Sequence, residues 1–145
     1  MTYQFVDEIV SLALDGAPRI EVAKRFAAGD DVFSGPREVD RVPESMLLEL
    51  MAMTGGHLIF RHLGRSRLPL LLKVRECSFD SAAVAGEPLR AVAELRGVSL
   101  VADGTSVAET DAQVYRGSER LAHARLMFVC VSVPGAALAA NGGGA

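Results

Sequence analysis

Glu49 combines a reactive side chain with an unusual setting. From Pro43 to Phe60 the chain reads PESMLLELMAMTGGHLIF, and past its first turn this strongly apolar stretch carries one carboxylate, Glu49. Met46, Leu47, Leu48, Leu50, Met51, Ala52 and Met53 would cover nearly the whole circumference of a helix. A helix apolar all round belongs inside a protein or a membrane. An ionised carboxylate there must be paired, neutralised or used, because leaving it unpartnered in a core is very costly. A carboxyl held in apolar surroundings can keep a proton to give, which suits general acid–base work. The structural alternative ties Glu49 to backbone donors, or to Arg37 or Arg41 from the preceding loop.

The other reactive side chains are more scattered. His57 follows Glu49 by eight residues, about 80° around a helix and about 12 Å along it. Within one chain the two are not expected to meet, and His57 reads as a residue capping or packing the helix. His62, near the helix end, reads as a surface or dipole-complementing group. His123 sits in an alternating strand with nothing to distinguish it. Cys77 and Cys130 are isolated thiols and read as small buried hydrophobes on strands. No His/Cys spacing suits a metal, so neither a metal nor another cofactor is expected.

The composition limits the functional classes. A chain of 145 residues is most simply one domain, able to bury about two-thirds of the surface its unfolded form exposes. Half of its residues are hydrophobic and 23% are charged, which suits a globular chain rather than a disordered one. A net charge of -3 without a Lys/Arg cluster argues against a nucleic-acid partner. No signal peptide opens the chain. The Pro43–Phe60 stretch is borderline for a membrane span and holds two glycines, a histidine and two carboxylates. A soluble cytoplasmic protein without membrane attachment is the expectation.

The elements that must position Glu49 follow from period and punctuation. Tyr3–Leu14 reads as a short helix or the start of a strand, closed by the turn signal Asp15-Gly16. Arg19–Phe26 alternates charged and apolar residues as a half-buried strand does. Residues 27–42 are irregular, with Val32, Phe33 and Val39 able to dock on a core. Pro43 and Glu44 suit a helix start, and Gly64 suits its stop. Period two then takes over in four strands: Leu70–Phe79, Pro88–Ala102, Ser106–Tyr115 and Leu121–Val133. In the third, Glu109, Asp111 and Gln113 share one face, and Ala108, Ala112 and Val114 share the other. Asp103-Gly104 and Gly117-Ser118 are tight-turn signals, so the last three strands should form an antiparallel meander. Residues 135–145 read as a flexible Gly/Ala tail on a domain spanning 1–134. One long buried helix wrapped by a curved antiparallel sheet is an α+β architecture.

Three stretches now carry a resemblance. Phe5-Val6-Asp7-Glu8-Ile9 resembles the opening "LVDRV" of the (3R)-hydroxyacyl-acyl-carrier-protein dehydratases, a hot-dog-fold family of type II fatty acid synthesis. Pro43-Glu44-Ser45-Met46-Leu47-Leu48-Glu49-Leu50-Met51-Ala52 resembles that family's "PGVLIVEALAQ" helix. Val74-Arg75-Glu76-Cys77-Ser78-Phe79, followed by Gly86-Glu87-Pro88-Leu89, resembles "VRFRRPVxPGDxL". In that family a histidine from a "FxGHFPG" loop takes the α-proton of a 3-hydroxyacyl thioester. A carboxylate on the partner protomer's helix helps the β-hydroxyl leave as water. Glu49 falls on that carboxylate. Phe33-Ser34-Gly35 matches "FxG", but Pro36-Arg37-Glu38 stands where "HFP" would be, so the histidine is missing.

The resemblance implies a dehydratase-family subunit handling acyl chains on the phosphopantetheine of an acyl carrier protein, in fatty acid or polyketide synthesis. Glu49 would be catalytic, and Phe33, Gly35 and Met53 would contact substrate. A chain that keeps the carboxylate and lacks the histidine could complete one site with a histidine-bearing partner, so a dimer of like or unlike hot-dog subunits is expected. A second possibility is a non-catalytic acyl-binding or stabilising subunit, since Met46, Met51 and Met53 give soft packing that suits a lipid tunnel or a plain core. A hot-dog thioesterase or isomerase ranks third.

Overall fold

The computed structural model describes residues 5–27, 41–102 and 105–132. Chain order within them is β1 (Glu8–Ala13), β2 (Arg19–Lys24), α1 (Glu44–His62), β3 (Arg67–Phe79), β4 (Leu89–Ala102), β5 (Thr105–Arg116) and β6 (Glu119–Ser132). The opening segment is therefore a strand. The tail, the turn signal Asp103-Gly104 and most of the 27–42 segment lie outside the described residues.

All six strands join one antiparallel sheet in the order β1-β2-β4-β5-β6-β3. The expected meander of β4, β5 and β6 is present, and Gly117 turns the β5–β6 hairpin at φ +60°. β5 alternates as its sequence demands: Ala108, Ala112 and Val114 are buried while Glu109, Asp111 and Gln113 face outward. β3 does not sit beside β4. It crosses to the far side, pairs with β6 and forms one edge of the sheet.

α1 packs against one face of the sheet, touching β2, β3, β4, β5 and β6. Pro43 stands just before it as N-cap, and its carbonyl accepts from Met46 N at 2.9 Å. The C-terminus closes with a Schellman motif, in which Arg65 N reaches Phe60 O at 2.8 Å and Gly64 N reaches Arg61 O at 3.1 Å. Gly64 makes this turn at φ +69°, a conformation that suits a residue without Cβ. The link to β3 is therefore short, and it delivers the strand alongside the helix.

Leu47, Leu50, Met51, Thr54, Gly55, Leu58 and Ile59 are the buried residues of α1. They recur at i, i+3, i+4, i+7 and i+8, a single stripe facing the sheet. The expectation of a helix buried all round is thus corrected. One sheet can cover one side of a helix, and the other side needs a further layer. Opposite the stripe the sheet offers small residues: Ala91, Ala93, Ala108, Ala112, Ala122 and Ala124 are fully buried. Six side chains of a single methyl group let α1 sit deep, and Gly55 marks a close approach. A Cβ there would lie 2.8 Å from Thr110 Oγ1. Each fully buried Leu or Ile of the stripe contributes about 1.5–3 kcal/mol. Cys130 is buried as expected, but Cys77 is exposed, because among the described residues β3 has no neighbour on its outer side. No helix among the described residues is long and apolar enough to cross a membrane.

Candidate functional site

The side of α1 turned away from the buried stripe presents Glu49, Ala52, Met53, Gly56, His57 and Phe60, again at helical spacing. The opposing wall comes from Leu68, Pro69, Leu70 and Leu71 of β3, with Phe128 of β6 at the floor. Between them runs a groove of about 430 Å³. The Schellman turn builds it, since the chain leaving α1 must return beside the helix as β3. The groove is apolar apart from Glu49 and His57. That composition suits an acyl chain more than a sugar or a nucleotide.

Glu49 is exposed, which corrects the expectation of a buried carboxyl. Among the described residues no hydrogen bond or ion pair reaches it. Arg41, one of its suggested partners, instead bridges to Val84 through the backbone, and Arg37 lies outside the described residues. The reason is geometric. Position 49 falls outside the stripe that the sheet covers, so its carboxylate stands at the groove and is free to meet water or a ligand. Met53 is partly buried one turn further on and lines the same groove. Phe33 and Gly35, the two loop residues assigned to substrate, lie outside the described residues.

His57 is the residue that sequence reasoning set aside. It is half-buried, lines the groove with Glu49, and has no hydrogen-bond partner among the described residues. Burial, and behind it the positive charge of Arg61, holds its imidazole below the ordinary histidine value. The signal was available: positions separated by about 80° on a helix can share one wall of a groove without touching each other.

His123, unremarkable in sequence, places Nε2 2.6 Å from Asp111 Oδ1 on the outer face of the sheet. Asp111 also meets Arg96 at 3.1 Å and Arg125 at 3.6 Å, while Glu109 meets Arg75, Arg96 and Arg125. Desolvation, the largest single influence, pushes the Asp111 carboxyl up. The hydrogen bond from His123, then the charges of His123, Arg125 and Arg96, together outweigh it and hold the carboxyl low. This lattice of charges straps β3, β4, β5 and β6 across the face opposite the groove. Its members take no part in the groove.

Of the three stretches that carry the family resemblance, only the helix lies in the groove. The opening stretch is structural: Phe5 meets Phe26 edge-on at 5.7 Å, and Asp7 accepts from Arg25 N at 2.6 Å. Glu87, from the third stretch, accepts from Val84 N at 2.7 Å and pairs with Arg116 at 3.0 Å, pinning the 80–88 loop to the β5–β6 hairpin.

No protein-family model and no curated protein matches the chain. Solved structures do. A phenylacetic acid degradation-related protein of Ralstonia eutropha, assigned as a thioesterase, superposes with a TM-score of 0.65 at 21% identity, over 83% of this chain and 82% of the other. A hypothetical thioesterase of Streptococcus pneumoniae, solved with coenzyme A, gives 0.60 at 16% identity, over 86% and 88%. A thioesterase of Haemophilus influenzae gives 0.58 at 12% identity, over 85% and 78%. This one-helix, six-strand antiparallel architecture is the hot-dog fold.

Proposed function

We propose that this chain hydrolyses acyl thioesters, with the acyl chain in the α1–β3 groove and Glu49 as the base. The observation that carries the reading is an exposed carboxylate without a partner among the described residues, set at an apolar groove of about 430 Å³. The likeness to thioesterases supports it, and the relative solved with coenzyme A supports a pantetheine-borne substrate, on coenzyme A or on an acyl carrier protein. Glu49 accepts a proton from a water molecule as the water oxygen attacks the thioester carbonyl carbon. The tetrahedral intermediate then collapses, the C–S bond breaks, and the departing sulfur takes the proton back from Glu49. Products are the carboxylic acid and the free thiol.

A dimer completes the groove in this reading. Among the described residues β3 is an edge strand with its outer side unpaired, and Leu68, Leu70, Leu71, Leu72 and Val74 along it are 36–58% exposed. A long apolar edge strand of this kind invites a second strand.

The second reading is dehydration, and the helix motif around Glu49 favours it. Here a histidine from a partner subunit removes the α-proton of a 3-hydroxyacyl thioester. Glu49 gives its proton to the β-hydroxyl, which leaves as water.

One experiment separates the readings. The purified protein is incubated with saturated and 3-hydroxyacyl thioesters of coenzyme A and of an acyl carrier protein, with thiol release and product mass both followed. Thiol release that falls about 10²–10⁴-fold in Glu49→Gln fits a general base and supports hydrolysis. Loss of one water with the thioester intact supports dehydration. Full turnover in Glu49→Gln, with the variant folded, refutes Glu49 in both.

A further inference from the structure

The groove is not uniformly apolar along its length, and the exception has a fixed place. His57 lies two turns beyond Glu49 on α1 and lines the same groove, which Met53, Gly56, Phe60 and Leu70 also line. Its imidazole is half-buried and has no hydrogen-bond partner among the described residues. A plain hydrocarbon laid along this groove would strip water from the imidazole and give nothing back, a cost that apolar walls elsewhere do not impose. An acyl chain with an oxygen at that depth would replace the lost water. Neutral imidazole offers one donor and one acceptor, so it can satisfy a hydroxyl in both directions or donate to a keto group.

We propose that His57 makes this groove selective for acyl chains carrying a hydroxyl or keto oxygen well down the chain, at the distance along α1 that separates His57 from Glu49. That distance is about 12 Å, eight residues at the helical rise. The oxygen therefore belongs to the body of the chain, far from the carbons next to the thioester. The substrate class is an in-chain-oxygenated acyl thioester. This inference rests on the acyl-groove reading above and names the chain that the groove prefers.

Polar specificity of this sort is steep, because the site's own group is left unpaired by the wrong ligand. A half-buried imidazole keeps some access to water, so a preference of roughly tenfold is expected rather than the larger ratios of fully closed sites.

The test uses the full chain and non-hydrolysable amide analogues of acyl-pantetheine, so that binding is read apart from turnover. One analogue is fully saturated, and the others carry a single hydroxyl walked along the same chain. Calorimetry should show affinity peaking roughly tenfold above the saturated chain when the oxygen sits about 12 Å from the carbonyl. His57→Leu should erase the peak and tighten binding of the saturated chain, while His57→Gln should retain part of it. The Glu49→Gln variant should keep the full preference, which separates selection from catalysis. A flat profile in the unmutated protein, or a peak that survives His57→Leu, overturns the inference and leaves the acyl groove standing. Loss of dimerisation in His57→Leu with the peak unchanged overturns it too, assigning His57 to the subunit contact. If no analogue binds, the acyl groove falls and this inference falls with it.

Discussion

Replacing Gly55 with alanine adds a methyl group where α1 lies against β5 and β6. In an open helix interior, Gly→Ala is worth about 1 kcal/mol in favour of folding. At this position the new Cβ would lie 2.8 Å from Thr110 Oγ1 and 3.4 Å from two ring atoms of Phe128. Thr110 is fully buried in a central strand, and its branched side chain has little freedom to turn away. Overpacking of this kind costs about 1–3 kcal/mol, so the net change at Gly55 should be destabilising by about 1 kcal/mol. Gly56, its neighbour, faces the groove instead, and a Cβ there meets Pro69 Cγ at an ordinary 3.8 Å. Gly56→Ala should therefore keep most of the helix gain, roughly 0.5–1 kcal/mol. Adjacent glycines on one helix are thus expected to respond to the same substitution with opposite signs. Urea unfolding at a single protein concentration measures both changes. A third variant isolates the cause. Thr110 Oγ1 has no hydrogen-bond partner among the described residues, so Thr110→Ala gives up no bond and removes the atom in the way. The cost of Gly55→Ala should shrink by about 1 kcal/mol in that background, read from a double-mutant cycle. Equal stabilisation by both glycine replacements, or an unchanged cost in the Thr110→Ala background, would refute the packing argument.

Two further outcomes are expected. Because burial and then Arg61 hold His57 below its ordinary value, the folded state binds fewer protons than the unfolded chain as pH falls through that range. The stability tied to neutral His57 is complete above the unfolded histidine value of about 6.5 and is lost as pH drops through the folded value. Melting temperature should thus fall less steeply from roughly pH 7.5 to 5 in His57→Leu than in the unmutated protein, and parallel curves would remove this assignment. At the sheet edge, Leu72 is 58% exposed, so Leu72→Lys should leave the fold intact while placing a charge on the strand that pairing must use. Sedimentation should find a dimer for the unmutated chain and a monomer for Leu72→Lys. A dimer that persists in the variant would place the subunit contact elsewhere.

The elements were legible because each one is written locally. Arg19–Lys24 and Thr105–Arg116 show period two in their own residues, and Gly64 and Gly117 punctuate a helix end and a hairpin. Even the outward set Glu109, Asp111 and Gln113 could be read from alternation alone. Glu49 stood out by type, as a carboxylate in an apolar run. Its setting was misjudged, because seven apolar neighbours spread around a helix do not reveal which of them a sheet will cover.

Sequence alone determined what each segment becomes: one helix, a set of strands, a polar outer face, and a carboxylate on the helix. Tertiary structure decided who stands beside whom. β3 follows α1 in the chain but pairs with β6, far from β4, and that crossing raises the wall that turns one side of α1 into a groove. The same crossing leaves Cys77 and the β3 leucines at an open edge, and sets His57 and Glu49 along a single cavity. The division has a physical basis. Hydrophobic period records which residues must leave water, a demand that each residue makes on its own, whereas the surface that meets the demand is chosen by pairings between distant parts of the chain.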